Sequence, residues 1–174
     1  MLKLFAPNYY IENYKKLDLN KLKENNIKLL ICDIDNTLVP HDQVDMDDDV
    51  IKFLDQVYRA GIETVLISNN TKERVEIFTQ NHSVPTYAFA RKPLKKTYKA
   101  MMTNYDYSPK EIAAFGDQLL TDILGGNRMG FYTILTKQLA PRDLSFTKIN
   151  RLFEKLIYFL LRKSKLLTKG EYDE

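Results

Sequence analysis

The sequence predicts an α/β protein with a parallel sheet of about five strands and helices on both faces. Three observations support this fold class. Short apolar runs alternate with segments whose apolar residues recur at helical spacing, as in strand–helix–strand units. The 174 residues are enough for one domain with a substantial core, so we predict a single domain over 1–174. Apolar residues make up 44% and charged residues 28%, which is ordinary for a globular protein.

The predicted elements follow one another with short connections. The first strand covers 28–32, and the helix over 45–61 has an acidic first turn and a glycine, Gly61, at its end. Ser108 opens a capping box for a short turn. Further strands are predicted at 62–67, 86–90, 112–116 and 131–136, and further helices at 69–81, 93–105 and 118–130. The core thus covers about 27–137, between a leader, 1–26, and a C-terminal basic amphipathic helix over about 144–169.

Polar side chains follow the predicted strands at the point where each strand ends. In α/β sheets ligands bind beyond the carboxyl ends of the strands, near the switch in strand order, so these residues are the candidate site. They are Asp33, Asp35 and Thr37 after the first strand, Ser68 and Asn69 after the second, Lys92 after the third, and Asp117 and Asp122 after the fourth.

These residue types suit phosphoryl chemistry. Carboxylates that meet at one edge can share a divalent cation, and an oxygen-only ligand set favours Mg²⁺. Hydroxyl, amide and ammonium groups suit the oxygens of a phosphoryl group. One carboxylate, Asp33 or Asp35, can attack phosphorus while the other transfers protons. The simpler alternatives are that Asp33 and Asp35 are turn acids and that Asp117 caps a helix.

Four motifs carry a resemblance to a known family. "DIDNT", "LISNN", "RKP" and "GDQLLTD" occur in this order over 29–136 and resemble the four motifs of haloacid-dehalogenase-like (HAD) phosphatases. The resemblance implies a Rossmann-like sheet and Mg²⁺-dependent phosphoryl transfer. It implies that Asp33 is the nucleophile and that Asp35 is the acid/base.

The resemblance also assigns the remaining site residues. The implied Mg²⁺ ligands are the Asp33 and Asp117 carboxylates and the backbone carbonyl of Asp35. Asp122 is either a further ligand or a group that orients Lys92 or a metal-bound water. The implied phosphate-binding residues are Thr37, Ser68, Asn69 and Lys92.

The sequence also bears on the substrate. The segments 37–62 and 68–92 leave no room for a cap domain, so the site is expected to be open. The motifs "DIDNTLVP", "ARKP" and "GDQLLTDILGGNRMG" resemble the YqeG-type branch, which is related to phosphatidylglycerophosphate phosphatases, and imply that lipid as a candidate substrate. A soluble metabolite or nucleotide stays open as an alternative. A phospho-acceptor or phosphate-binding module without turnover is a different class, and Asp35 argues against it because an acid there promotes hydrolysis.

The C-terminal segment combines apolar and basic residues. It either packs on the sheet or rests on an anionic membrane as a basic amphipathic helix. Nucleic acid is not expected, because aromatic residues are not interleaved with the charges. The apolar residues are Ile149, Leu152, Phe153, Leu156, Leu160 and Leu167, and the basic residues are Lys148, Arg151, Lys155, Arg162, Lys163, Lys165 and Lys169.

The rest of the chain predicts a cytoplasmic location, with peripheral contact at the inner face of the membrane. No stretch approaches the roughly 18 apolar residues of a spanning helix. The N-terminus lacks the apolar region of a signal peptide. The lone cysteine, Cys32, excludes an intramolecular disulfide framework.

Overall fold

A computed structural model describes residues 2–140 and 145–167, with side chains of the last helix described from residue 153 onward. Its strands are β1 (Tyr9–Ile11), β2 (Leu29–Asp33), β3 (Glu63–Ile67), β4 (Thr86–Tyr87), β5 (Ile112–Gly116) and β6 (Tyr132–Thr136). Its α-helices are α1 (Leu19–Glu24), α2 (Asp48–Arg59), α3 (Lys72–Thr79), α4 (Lys95–Met102), α5 (Leu124–Met129) and α6 (Ser145–Lys163). The strands form one parallel sheet in the order β1-β6-β5-β2-β3-β4.

The parallel sheet confirms the predicted fold class, with one strand more than expected. The extra strand, β1, lies in the leader and pairs with β6, so that Tyr9 lies opposite Ile134. Three residues are too few to show a strand periodicity, which is why the sequence did not reveal β1. At the opposite edge, β4 is shorter than the predicted strand over 86–90.

Strand β2 occupies the centre of the sheet and is buried along its whole length. Its neighbours are β3 on one side and β5 on the other, so the strand order reverses between β2 and β5. Asp33 ends β2 opposite Ile67, while Cys32 lies opposite Phe115 of β5. The loops that follow β2 and β5 therefore leave the sheet side by side at the switch in strand order, where ligands bind in folds of this kind.

Helices cover both faces of the sheet, as the alternating pattern predicts. On one face Leu30 and Cys32 belong to a core cluster with residues of α2 and α3, including Phe53 and Phe78. On the other face Leu29 and Ile31 join a cluster with α4. Each β2 side chain is thus buried against a helical layer, which fixes the direction in which Asp33 leaves the strand.

The helix ends follow local sequence signals, with two differences from the expected bounds. The Asp47 side chain accepts the first-turn amide of α2, and Gly61 has a φ of +80° just after that helix, where glycine is favoured. Helix α4 begins at Lys95, so Pro93 precedes the helix and follows Lys92 through a cis peptide. The predicted helix over 118–130 is a π-helical turn, Leu119–Ile123, continued by α5.

The connections around the site contain no inserted domain. Within the described residues 34–62 there is one loop and α2, and within residues 68–85 there is α3. This agrees with the expected absence of a cap. Among the described residues, no helix is both long and apolar enough to cross a bilayer.

Helix α6 has one packed side and one exposed side. Leu161 and Glu154 are buried, and the Glu154 carboxylate accepts the backbone N–H of Leu120 at 3.0 Å. The exposed side carries four large apolar residues: Phe153, Leu156, Phe159 and Leu160. Of the predicted amphipathic helix, residues 144, 168 and 169 and the side chains of 145–152 lie outside the described residues.

Candidate active site

Three buried carboxylates meet beyond the carboxyl ends of β2 and β5. Asp33 ends β2, Asp117 follows β5, and Asp122 belongs to the π-helical turn after it. Each offers a carboxylate oxygen, and these three oxygens lie within 4.8 Å of one another. Side chains from two strand ends and one helical turn therefore form one compact acidic cluster.

Lys92 reaches this cluster from the loop after β4. Its Nζ donates to Asp33 Oδ1 at 2.5 Å and to Asp122 Oδ1 at 2.6 Å, and lies 3.5 Å from the Ile67 carbonyl. The lysine is buried. Burial lowers the pKa of Lys92, but Asp122 and Asp33 outweigh burial and hold that pKa above its usual range, so the side chain stays charged.

The buried cluster contains three carboxylates, and Lys92 pairs with those of Asp33 and Asp122. Burial raises the pKa of Asp33 well above its ordinary value; Asp122 and Asp117 raise it further, and Lys92 opposes them. A divalent cation bound among these carboxylates would add positive charge beside all three. The donor set consists of carboxylate oxygens, which fits a hard cation such as Mg²⁺.

Asp122 is held in place by the backbone around it. Its Oδ2 accepts the backbone N–H of Gln118 at 3.1 Å, and Oδ1 faces Lys92. A Cβ added at Gly116 would overlap the Asp122 side chain, so only glycine leaves room for this approach. Asp122 thus fixes the position of the Lys92 ammonium.

Thr37 lies between the carboxylate of Asp33, which ends β2, and that of Asp117, which follows β5. Its Oγ1 lies 3.4 Å from Asp33 Oδ2 and 3.3 Å from Asp117 Oδ1. The tight turn that carries it is closed by the Asn36 N–H donating to the Val39 carbonyl at 2.7 Å. Asn36 has a φ of +64°, a conformation that asparagine tolerates better than most residues.

The Asp35 carboxylate lies beside the acidic cluster and faces four possible donors. Ser68 Oγ lies 3.2 Å from Oδ2 and Asn70 Nδ2 3.5 Å from it, while Arg74 Nη2 and His41 Nδ1 lie 3.2 and 3.5 Å from Oδ1. Arg74 also donates to the carbonyls of Gln43 and Val44, at 2.6 and 2.9 Å. The loop after β2 is thereby tied to Asp35.

Asn69 holds the backbone of Lys92. Its Oδ1 accepts the Lys92 N–H at 2.7 Å, and its Nδ2 lies 3.3 Å from the Lys92 carbonyl. Both ends of this amide are therefore engaged with the loop after β4.

The structure brings all eight predicted site residues to one edge of the sheet. Sequence reasoning missed Arg74 and Gly116. Arg74 lies in the first turns of α3, where an arginine is ordinary, and no spacing signal distinguishes it. Gly116 stands within the fourth motif, but only the approach of Asp122 reveals its purpose.

The chain matches a known family over most of its length. A family described as mitochondrial PGP phosphatase matches residues 2–139. The chain is 36% identical over 161 residues to the protein named probable phosphatase YqeG from Bacillus subtilis (strain 168), an alignment that covers 92% of this chain and 94% of the relative.

Solved structures share the fold at low sequence identity. A protein from Legionella pneumophila, assigned to the HAD superfamily (subfamily III A) of hydrolases, superposes with a TM-score of 0.53 at 19% identity, over 85% of this chain and 92% of that chain. The cobalt-bound deoxy-D-mannose-octulosonate 8-phosphate phosphatase from Haemophilus influenzae gives 0.54 at 14% identity, over 80% and 90%.

Proposed function

Because the chain belongs to the mitochondrial PGP phosphatase family and is a capless HAD-type phosphoric monoester hydrolase, we propose that it works through an aspartyl-phosphate at Asp33 with Mg²⁺ as cofactor. The observation that carries this proposal is the buried contact of Asp33 with Lys92, beside Asp117 and beneath an uncovered site. A carboxylate so placed is buried and held beside a cation, at the sheet edge where ligands bind in folds of this kind.

The reaction divides into two displacements at phosphorus. In the first, an oxygen of Asp33 bonds to phosphorus while the bond to the ester oxygen breaks, and Asp35 gives its proton to the leaving oxygen. In the second, Asp35 takes a proton from water, whose oxygen displaces Asp33 and releases inorganic phosphate. Both carboxylates return to their initial state.

The metal would be held by the Asp33 and Asp117 carboxylates and by the backbone carbonyl of Asp35. When bound, it neutralises charge on the phosphoryl oxygens and on the nucleophile. The compact cluster of Asp33, Asp117 and Asp122 supports this assignment, as does the cobalt bound by the structural relative from Haemophilus influenzae.

The remaining site residues hold the phosphate and the nucleophile. Ser68 donates to Asp35 in the resting site and turns its hydroxyl to a phosphoryl oxygen when substrate binds. Thr37 holds the loop and faces the phosphate from beside Asp33. Lys92 balances the charge of the nucleophile and the phosphate, Asp122 fixes its ammonium, and Asn69, proposed as a phosphate contact from the sequence, supports its backbone.

For the substrate we propose a phosphorylated lipid head group, with phosphatidylglycerophosphate as the first candidate. The description of the matching family names PGP, and the absence of a cap leaves room for a head group attached to a bilayer. A soluble phosphorylated metabolite or nucleotide is the second candidate, because the same open site admits it.

We further propose peripheral contact with the anionic inner face of a membrane, on the cytoplasmic side, through α6. Its exposed side presents Phe153, Leu156, Phe159 and Leu160. The exposed Lys155 lies among them in sequence, and the exposed Lys163 follows Leu160 by three residues. Apolar residues with flanking basic charge are typical of helices that lie in the interface of an anionic bilayer.

A substrate comparison tests the proposal. Phosphatidylglycerophosphate in mixed vesicles, glycerol 3-phosphate and an aryl phosphate are each offered in Mg²⁺ and in EDTA, with Asp33→Asn as the inactive control. We expect Mg²⁺-dependent release of phosphate, fastest from the lipid. Full activity after EDTA and dialysis would refute the metal, and a preference for glycerol 3-phosphate would favour a soluble substrate.

A further inference from the structure

Four exposed apolar side chains lie in loops at the sheet edge that carries the active site. We call Val44, Phe89, Leu94 and Leu139 the mouth rim. Val44 follows β2, Phe89 and Leu94 follow β4, and Leu139 follows β6, so all four lie in loops beyond the carboxyl ends of strands. Their exposures are 51%, 58%, 52% and 36%. Large apolar side chains grouped around a catalytic opening indicate a contact surface.

Backbone hydrogen bonds join the mouth rim to the site. The Leu139 N–H donates to the Asn36 carbonyl at 3.0 Å, and the Phe89 N–H donates to the Asn70 carbonyl at 3.0 Å. Leu94 stands two residues beyond Lys92 and donates its N–H to the Arg91 carbonyl at 2.9 Å. Leu139 and Phe89 are therefore tied to the loops after β2 and β3, which carry site residues.

Val44 is joined to the site through a side chain. Arg74 donates to the Val44 carbonyl at 2.9 Å and pairs with Asp35 at 3.2 Å. The same guanidinium thus holds both the proposed acid/base and the part of the rim that follows β2.

The segment that presents Phe89 has an unfavourable backbone conformation. Phe89 has a φ of +48° and Arg91 a φ of +51°, the left-handed region that bulky residues rarely adopt. The Ala90 N–H, donating to the Ser68 carbonyl at 3.0 Å, helps to hold this conformation. Such strain is typical of functional segments, and here the strained segment presents an exposed aromatic side chain three residues before Lys92.

The charge near the rim is basic on the β4 side. Arg91 and Lys96 are exposed and close in sequence to Phe89 and Leu94. Lys137 is exposed two residues before Leu139. Among the described residues of the loops that carry the rim, exposed acidic residues occur only near Val44. They include Asp42 and Asp45. The larger part of the rim therefore combines apolar groups with positive charge.

We propose that the mouth rim docks on an anionic bilayer surface, with Phe89 and Leu94 inserted between head groups and the site opening facing the lipid. The inference rests on the proposed function, since it explains how a buried nucleophile reaches a phosphate that stays in the membrane. Basic charge would attract the surface and apolar side chains would enter it, as at other interfacial sites. Helix α6 then supplies a second contact, because the Glu154 carboxylate accepts the backbone N–H of Leu120 in the π-helical turn that follows β5, at the same sheet edge.

The test compares two double variants of the full chain. Phe89→Ser with Leu94→Ser removes the β4 side of the rim. Tyr58→Ser with Ile77→Ser is the matched control, because these exposed apolar residues, at 77% and 36%, lie in the last turns of α2 and α3, away from the mouth. Co-sedimentation is measured at low salt with vesicles of neutral lipid alone and with anionic lipid added. Hydrolysis of an aryl phosphate in Mg²⁺ without vesicles is measured on the same samples.

We expect the wild type and the control variant to bind anionic vesicles. The rim variant should bind them at least about tenfold more weakly, because binding strength scales with the apolar area inserted into the bilayer. Aryl phosphate hydrolysis should stay unchanged in both variants. Equal vesicle binding by the rim variant and the wild type would overturn the proposal, as would wild-type protein that stays in the supernatant. A different result would assign the rim to a second copy of the chain. In that case the wild type does not bind vesicles but forms a concentration-dependent dimer, and the rim variant does not form that dimer.

A third variant separates the two contact surfaces. If Phe153→Ser with Leu156→Ser abolishes binding while the rim variant binds normally, α6 alone is the contact and the rim proposal is wrong. A wild type that binds vesicles but hydrolyses no phosphate ester would contradict the proposed function and leave the docking surface standing.

Discussion

Replacing Lys92 by methionine should strongly destabilise the metal-free protein. The lysine is buried and pairs with Asp33 at 2.5 Å and with Asp122 at 2.6 Å. Methionine fills a similar volume but leaves the buried carboxylates of Asp33 and Asp122 without the ammonium group that pairs with them. Removing one partner of a buried ion pair typically costs about 3–5 kcal/mol. In a chain of this length each kcal/mol of lost unfolding free energy lowers the midpoint of thermal unfolding by about 2–4 °C. The midpoint should therefore fall by about 6–20 °C.

Denaturant unfolding in EDTA and in excess Mg²⁺ measures this effect. Lys96→Met is the matched control, because Lys96 is exposed on α4 and its replacement should change the unfolding free energy by less than about 0.5 kcal/mol. Mg²⁺ at about 100 times its dissociation constant should return about 2.7 kcal/mol to the variant. An unfolding free energy for Lys92→Met in EDTA equal to that of the control would refute the account of Lys92 as the buried partner of two carboxylates.

Three further predictions concern the same cluster. Because the pKa of Asp33 is raised in the folded protein, the folded protein keeps a proton that the unfolded chain loses near pH 4. In EDTA the unfolding free energy should therefore fall as the pH rises from about 4 towards that raised pKa. Denaturant titrations at several pH values should show this decrease in unfolding free energy, and it should vanish in Asp33→Asn or in saturating Mg²⁺. If Asp33→Asn keeps the same decrease, another group causes it. Asp35→Asn should slow turnover by about 10²–10⁴-fold and keep part of the Mg²⁺ affinity seen by calorimetry, and an unchanged rate would remove the acid/base role. Gly116→Ala should displace Asp122 and lower turnover of an aryl phosphate, whereas unchanged kinetics would show that Lys92 needs no such support.

The sequence predicted the centre of the sheet well because burial dominates there. Strands β2, β3, β5 and β6 are short apolar runs, and their order along the chain alternates with helices that have ordinary capping signals. The outer strands were harder, since β1 has three residues and β4 has two, and pairing with a neighbour stabilises them more than their own composition does.

The candidate site was predictable as a set of positions but not as a set of contacts. Parallel strands bring their carboxyl ends together, so residues after each strand had to converge. Which carboxylate faces which cation depends on turns that spacing does not encode. Asp122 reaches Lys92 because Gly116 has no side chain, and Asp35 faces Arg74, which comes from a helix that carries no motif.

The most direct test of the account is to trap the phosphoenzyme. The protein is mixed with substrate in Mg²⁺, quenched in acid within one turnover, and digested for mass spectrometry. We predict that the mass of one phosphoryl group appears on the peptide that contains Asp33 and is located on that residue. Folded Asp33→Asn, matched to the wild type by circular dichroism, should carry no such group and turn over no substrate. A phosphoryl group on another residue, or near-normal turnover by the folded variant, would contradict the claim that Asp33 is the nucleophile.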